Sequence, residues 1–164
     1  MPSNIVTPEM VDQLQRVLPV VSRGNAWSLL YSTSQHGASL HTLLTLVQRQ
    51  KPTLLILSTN KGHVFGGYAT ESWHIDSHYY GTGESFLFSF SEQFERYPWS
   101  HKNSYFMLCK RTAIGMGGGG SFGFLLDADL YHGTSGPCDT YDSPCLSPET
   151  EFNCTDVEIW GFLP

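Results

Sequence analysis

The stretch from Gly117 to Gly133 carries the residues whose types and spacing most resemble an active site. Residues 118–123 fit the pattern G-x-G-x-x-G, which binds dinucleotides when it follows a strand and opens a helix. Here the glycines precede an apolar strand pattern instead. A kinase-type glycine loop would need a downstream lysine to pair with the phosphates of ATP, and no lysine follows Lys110. The pattern therefore argues against both kinds of nucleotide site.

The same stretch contains Asp127 and Asp129, a carboxylate pair that could hold Mg²⁺ for phosphoryl transfer. Such a site also needs a cation for the phosphate, and residues 112–164 contain no lysine or arginine. With Glu84 and His132, the pair could alternatively supply the general acid and base of a hydrolase. No nucleophile-elbow, zinc-protease or catalytic-cysteine motif supports that interpretation. We predict no catalytic residues and no cofactor.

A second set of chemical groups is formed by His74, Asp76 and His78, which would share one face of an extended segment. In that geometry they could offer three ligands to Zn²⁺. A zinc site also needs partners that orient its ligands, and histidines beside a turn are more often ordinary surface residues. We therefore predict no metal site.

None of the four cysteines has the C-x-x-C spacing of zinc sites or thioredoxin-like sites; they are Cys109, Cys138, Cys145 and Cys154. We expect all four to be reduced thiols. A cysteine that reduces peroxide needs a nearby cation to lower its pKa, and the last three lie in the stretch without lysine or arginine. Direct scavenging of oxidants by a thiol is therefore the less favoured function.

Charge is distributed unevenly along the chain, whose formal net charge is -6. Residues 112–164 carry eight of the 15 aspartates and glutamates and none of the nine lysines and arginines. Such a stretch does not suit nucleic acid or an anionic membrane. A charged partner should therefore be a basic protein surface, and we expect Asp139, Asp142 and Glu149 to contribute to binding it. A solvated acidic surface without a partner is the alternative.

A tight turn is predicted at Gly81-Thr82-Gly83, just before Glu84 and a phenylalanine-rich strand pattern. This turn would present Glu84 to solvent. The carboxylate could contact a partner, or it could stabilise the turn by accepting backbone N–H bonds or by pairing with an arginine.

Two helices are predicted before the strands that must position these groups. Thr7 and the proline after it form a helix start, and apolar residues follow at helical spacing as far as Leu18, before Pro19. Ser39 can cap a second helix, whose apolar pattern ends before Pro52.

Strand patterns dominate the remainder, beginning with a hairpin over residues 54–69. Further strands are predicted at residues 27–31, 85–90, 104–108, 122–130 and 157–162. We predict a mainly β (α+β) fold, a two-sheet β-sandwich with peripheral helices. The length predicts one domain over residues 1–164, with residues 1–25 as an N-terminal helical extension. His132 to Asn153 lacks periodicity and is predicted as a long loop, either functional or merely packed.

The sequence shows neither a targeting pattern nor a membrane-span pattern. Met1 to Asn4 lack a basic or apolar signal region, and no apolar run approaches the ~18 residues of a membrane span. We expect an intracellular, cytoplasmic monomer without membrane insertion, with nuclear or mitochondrial association left open.

Several ordered motifs together resemble the TLDc domain of the oxidation resistance protein family. They are Leu29-Leu30-Tyr31-Ser32, His36-Gly37-Ala38-Ser39-Leu40, Phe65-Gly66-Gly67-Tyr68, Tyr80 to Phe88, the Gly117 to Gly133 stretch and Glu158-Ile159-Trp160-Gly161-Phe162. The resemblance spans nearly the whole chain. It marks as family positions Gly83, Glu84, Gly118, Gly123, Asp127, Asp129, Gly133, Glu158 and Trp160.

The resemblance implies a β-sandwich with flanking helices and protection against oxidative stress. It also implies association with the vacuolar-type proton ATPase, as in several members of the family, and it brings no catalytic mechanism. The favoured function is thus a non-enzymatic protective or regulatory module that acts through a protein partner. The alternative is an enzyme or direct oxidant scavenger that uses cysteine or carboxylate chemistry.

Overall fold

The computed structural model of the protein describes residues 3–164, which form ten strands and three helices. The helices are α1 (Pro8–Gln15), α2 (Thr33–His36) and α3 (Leu40–Leu46). The strands are β1 (Ala26–Ser32), β2 (Thr53–Thr59), β3 (Val64–Ala69), β4 (Phe86–Ser89), β5 (Glu95–Pro98), β6 (Met107–Cys109), β7 (Ala113–Met116), β8 (Phe124–Asp127), β9 (His132–Thr134) and β10 (Glu151–Leu163). Within residues 3–164, no helix is long and apolar enough to cross a membrane.

The strands form two antiparallel sheets that share β10. Sheet A has the order β1-β10-β2-β3-β4-β5, and sheet B has the order β10-β9-β8-β7-β6. Residues 151–153 of β10 pair with β9, whereas Cys154 and residues 156–161 pair with β2. A register shift between Cys154 and Asp156 marks the place where β10 passes from one sheet to the other. The predicted mainly β sandwich with peripheral helices is confirmed.

The main core lies between the two sheets. In β2, Leu55 and Leu57 belong to this core, whereas the alternate residues Leu54 and Ile56 belong to a second cluster on the opposite face of sheet A. Sheet B contributes buried side chains such as Met116 to the main core. All five side chains are fully buried. Because both faces of β2 are covered, its residues 54–57 form an unbroken apolar run.

The second cluster lies under the N-terminal segment, which covers the outer face of sheet A. The predicted helix start is confirmed, because the Thr7 side chain accepts a hydrogen bond from the Met10 N–H at 3.2 Å. The α-helix ends at Gln15, before the predicted end of the apolar pattern. The chain then tightens into a turn in which the Val17 N–H also donates to the Leu14 carbonyl, beside the Leu18 N–H, and both leucines are buried. The boundary of an N-terminal extension at residue 25 stays a prediction.

The second predicted helix and the hairpin are also confirmed. Ser39 caps α3 by accepting a hydrogen bond from the Thr42 N–H at 3.3 Å. In the β2–β3 hairpin, the Thr59 N–H donates to the His63 carbonyl, and Gly62 supplies a positive φ of 85°.

Other boundaries differ from the prediction. The predicted loop from His132 to Asn153 is too long, because β9 and the first three residues of β10 lie inside it. Strand β6 begins at Met107, not at Ser104, because the Phe106 N–H donates to the Ser104 carbonyl in a turn. Strands β5 and β7 and helix α2 were not predicted; each has only four residues, too few for a clear periodic pattern.

Candidate functional site

The solvent side of sheet B carries exposed carboxylates on adjacent strands. Thr134 of β9 pairs with Glu151 of β10. His132 precedes Thr134 by two residues and therefore lies on the same side of β9. Asp127 ends β8, next to this row. All four side chains are exposed. We call the surface formed by Asp127, Asp129, His132, Thr134 and Glu151 the acidic face.

Asp129 organises the turn between β8 and β9. Its Oδ1 atom accepts hydrogen bonds from the backbone N–H groups of Tyr131 at 2.9 Å and His132 at 3.1 Å. Its Oδ2 atom lies 2.6 Å from Nδ1 of His132. The Tyr131 N–H and the His132 side chain favour the ionised carboxylate and lower the pKa of Asp129 to about 2. The turn therefore holds a carboxylate that stays charged near neutral pH.

Asp127 completes a small cluster with Asp129 and His132. One ligand atom from each of the three residues lies within 4.8 Å of the others, and among residues 3–164 they are the one group of three that satisfies this spacing. A cation bound there would compete with the hydrogen bonds that Asp129 already accepts. The absence of a metal site stays a prediction.

The histidine cluster considered from the sequence has a looser geometry. His74 Nε2 lies 3.4 Å from one oxygen of Asp76, and His78 Nδ1 lies 3.8 Å from the other. The His74 ring stacks on Tyr80 with 4.2 Å between ring centroids, which gives this histidine a packing role. His74, Asp76 and His78 do not bring one ligand atom each within 4.8 Å of one another, as Asp127, Asp129 and His132 do.

Two open grooves meet on the acidic face at Thr134 and Glu151. One has a volume of about 480 Å³ and extends to residues 118–122 and Tyr79. The other has a volume of about 450 Å³ and extends past His132 to Asp127. Both are open to solvent along their length, so they suit the side chains of a docked macromolecule better than an enclosed small substrate.

The glycine loop beside the first groove is committed to internal contacts. The backbone N–H of Gly117 donates to the Phe106 carbonyl, and that of Gly118 donates to Oγ1 of Thr140 at 2.9 Å. A Cβ atom at position 118 would lie 2.9 Å from the Tyr79 hydroxyl oxygen. These contacts explain Gly118 by close packing, and they occupy the Gly117 and Gly118 amides that a phosphate-binding loop could otherwise offer.

The loop carboxylates predicted to meet a partner lie outside the acidic face, and two of them have lysine partners. Asp142 lies 2.6 Å from Nζ of Lys102, and Glu149 pairs with Lys61. Asp139 is exposed, and its backbone N–H donates to the carbonyls of the glycine loop. The structure thus does not bring all of the predicted acidic residues together.

Gly83 and Glu84 lie at a different place, at the start of β4. A Cβ atom on Gly83 would overlap the Trp99 ring, so the glycine permits close packing. The turn continues into Ser85, whose hydroxyl lies 2.8 Å from the Tyr141 hydroxyl in the core. Glu84 itself is exposed and borders a groove that also contains Arg96.

Glu158 is fully buried in β10. Its carboxylate accepts hydrogen bonds from the Ser3 hydroxyl at 2.7 Å, the Asn4 N–H at 2.9 Å and the Trp160 indole N–H at 3.1 Å. While the N-terminal segment is in place, this carboxylate is inaccessible to a partner. The geometry gives it a structural task, which is to hold residues 3 and 4 against sheet A.

The thiols differ in accessibility. Burial raises the pKa of the Cys109 and Cys154 thiols to about 12 each, so little thiolate forms near neutral pH. Cys138 is also buried, and Cys145 is half-buried. No cysteine among residues 3–164 forms a disulfide bond.

Sequence reasoning missed Glu151 as a site residue because β10 was predicted to begin only at Val157. The signal was present: Phe152 and Cys154 alternate with polar residues, and this alternation places Glu151 on the solvent side.

Comparisons with known proteins identify the family. Residues 1–163 match the TLDc domain. Nuclear receptor coactivator 7 of Gallus gallus is 44% identical over 154 residues, which are 93% of this chain and 17% of that protein. Oxidation resistance protein 1 is 38% identical over 163 residues in both Rattus norvegicus and Homo sapiens, which are 98% of this chain and 19% of each protein. This chain thus spans less than a fifth of the length of these relatives. The resemblance inferred from the sequence is confirmed: the chain belongs to the TLDc domain family.

Proposed function

We propose that this chain is a non-enzymatic protective or regulatory module of the oxidative stress response, which acts in the cytoplasm by binding a protein partner. The candidate partner is the vacuolar-type proton ATPase. The oxidative stress role is supported by the similarity to oxidation resistance protein 1 over 98% of the chain. The matched region is 19% of the length of that relative, so the activity and partners of the whole relative come to this chain only as a proposal.

The acidic face is the observation that carries the binding function. Asp127 and Glu151 are exposed, and neither has a lysine or arginine nitrogen within 4.0 Å among the residues that the structure describes. A basic surface on a partner would complement these charges, guide encounter and select the correct partner. Contacts of this kind weaken with salt, because charges in water are screened over ~8 Å at physiological ionic strength.

Indirect protection is supported by the state of the thiols. Cys109 and Cys154 are buried with pKa values of about 12, conditions that oppose the thiolate needed to attack a peroxide. A direct scavenger would have to rely on the half-buried Cys145 or on carboxylate chemistry, and Cys145 belongs to the stretch 112–164, whose sequence contains no lysine or arginine. Binding is therefore the better supported class of function.

The test is binding to purified vacuolar-type ATPase over a salt titration. The double variant Asp127→Asn/Glu151→Gln should weaken binding about tenfold at low salt, with a smaller difference as salt rises. The double variant Glu9→Gln/Asp12→Asn is the control, because it removes the same net charge from exposed positions on α1. Equal binding by the acidic-face variant and the wild type would reject this surface, and no binding by the wild type would reject this partner.

A further inference from the structure

The loop that follows α1 presents two adjacent aliphatic side chains to solvent. Val20 is 82% exposed and Val21 is 67% exposed, the two highest values among the large hydrophobic residues described as exposed. Single exposed apolar residues are common on protein surfaces, but an adjacent pair beside an apolar groove is typical of an interaction site. We call residues 19–22 the valine loop.

The valine loop is held rigidly by its flanking residues. The guanidinium of Arg23 donates two hydrogen bonds to the Leu18 carbonyl, at 3.2 and 2.8 Å. Ser22 is fully buried, and its hydroxyl lies 2.8 Å from the Tyr68 hydroxyl in the core beneath. A partner that docks here would lose little loop entropy, because these contacts already anchor the loop next to the valines.

A groove of about 320 Å³ runs beside the valine loop, on the outer face of sheet A. One part of its wall is apolar and presents Val17, Val20 and Pro98 to solvent, whereas the Leu18 and Phe86 side chains that also border it are buried. The other part contains the charged residues Arg23, Glu84 and Arg96. Phe86 and Pro98 are directly paired across β4 and β5, so this wall belongs to the rigid edge of the sheet.

The groove offers positive charge that the protein does not neutralise by contact. Among residues 3–164, no carboxylate oxygen lies within 4.0 Å of the guanidinium of Arg23 or Arg96. The Arg96 guanidinium lies 5.8 Å from the centre of the Phe86 ring, which keeps the cation at the groove wall. Glu84 is the one acidic residue that lines the groove, so the two arginines outnumber it.

From these observations we infer that the valine loop and its groove bind a protein segment that carries aliphatic side chains next to aspartate or glutamate. The aliphatic side chains would pack on Val20 and Pro98, and the carboxylates would pair with Arg96 and with the free donors of Arg23. Guanidinium groups suit this task because they bind carboxylates through two parallel hydrogen bonds. This surface lies on sheet A and is opposite in charge to the acidic face, so the inference does not depend on the proposed function.

The experiment selects a library of displayed random linear peptides against the immobilised protein. Peptides that combine aliphatic residues with aspartate or glutamate should be enriched, and one of them is then synthesised for calorimetry. Its affinity should fall about tenfold or more in Val20→Ser/Val21→Ser and in Arg96→Ala. Ile75→Ser is the matched control, since Ile75 is an aliphatic residue that is 49% exposed away from the groove. Thermal melts establish that each variant is folded.

Four results would overturn the inference. The first is the absence of enriched peptides, and the second is enrichment of lysine-rich peptides. The third is binding that persists unchanged in both groove variants. The fourth is a different occupant, shown either by self-association or by binding to phosphatidylserine vesicles that the Val20→Ser/Val21→Ser change abolishes.

Discussion

Glu158 and Ser3 are 155 positions apart in sequence, yet the Ser3 hydroxyl donates a hydrogen bond of 2.7 Å to the Glu158 carboxylate. Among residues 3–164, no lysine, arginine or histidine nitrogen lies within 4.0 Å of this buried carboxylate. The Glu158 carboxylate is stabilised in the interior by uncharged hydrogen-bond donors, two of which come from the N-terminal segment. A buried charge of this kind is costly when any of its donors is lost.

Glu158→Ala should lower the free energy of unfolding by about 2 kcal/mol or more, because it leaves the Trp160 indole N–H and the Asn4 N–H without their acceptor. Urea unfolding measures the loss. Asp156→Ala is the control on the same strand, where the carboxylate accepts one exposed hydrogen bond and a change within about 0.5 kcal/mol is expected. Equal stability of the two variants would show that Glu158 does not anchor the N-terminal segment.

Asp129 should make stability depend on pH in the acid range. Its pKa in the folded protein is lowered to about 2 from an ordinary value of 3.8, so the ionised form favours folding. This contribution is fully present above pH 3.8 and is lost as pH falls through about 2. Thermal melts should therefore show Asp129→Asn less stable than wild type near neutral pH, with the gap closing between those two values. A gap that stays constant down to pH 2 would contradict this origin. Asp127→Asn is the comparison variant, because it removes a neighbouring carboxylate and leaves the backbone hydrogen bonds that Asp129 accepts in place.

Thiol labelling should separate Cys145 from the other cysteines. Cys109, Cys138 and Cys154 are buried, and the pKa values of Cys109 and Cys154 are about 12, whereas Cys145 is half-buried. Iodoacetamide at neutral pH should modify Cys145 first in the native protein, and all four in denaturant. Peptide mass spectrometry identifies the modified positions. Fast native labelling of Cys109 or Cys154 would restore direct thiol chemistry as a candidate function.

Gly83→Ala should destabilise the domain by about 1–3 kcal/mol, since the added methyl group would overlap the Trp99 ring. The Trp99 indole N–H donates to the Asn103 carbonyl at 2.7 Å, so its displacement should also change tryptophan fluorescence. Glu84→Ala is the neighbouring control, because Glu84 is exposed and its change should stay within about 0.5 kcal/mol. A Gly83→Ala variant as stable as this control would show that the ring can move aside at little cost.

Local signals account for the parts of the fold that could be predicted. Thr7 and Ser39 bind the backbone of their own helices, and Gly62 closes a hairpin between two adjacent strands. The task of Glu158 could not be predicted, because its donors include residues more than 150 positions away. The exposure of Val20 could not be predicted either, because only the position of the loop in the folded protein decides whether this aliphatic side chain is buried.

The shared strand β10 has a consequence for how the protein unfolds. Its backbone is hydrogen-bonded to β1 and β2 in one sheet and to β9 in the other, so loss of β10 would leave edges unpaired in both. The two sheets should therefore melt in a single cooperative transition. Amide hydrogens in β2 and β9 should exchange with solvent through the same global opening, although the two strands never pair with each other.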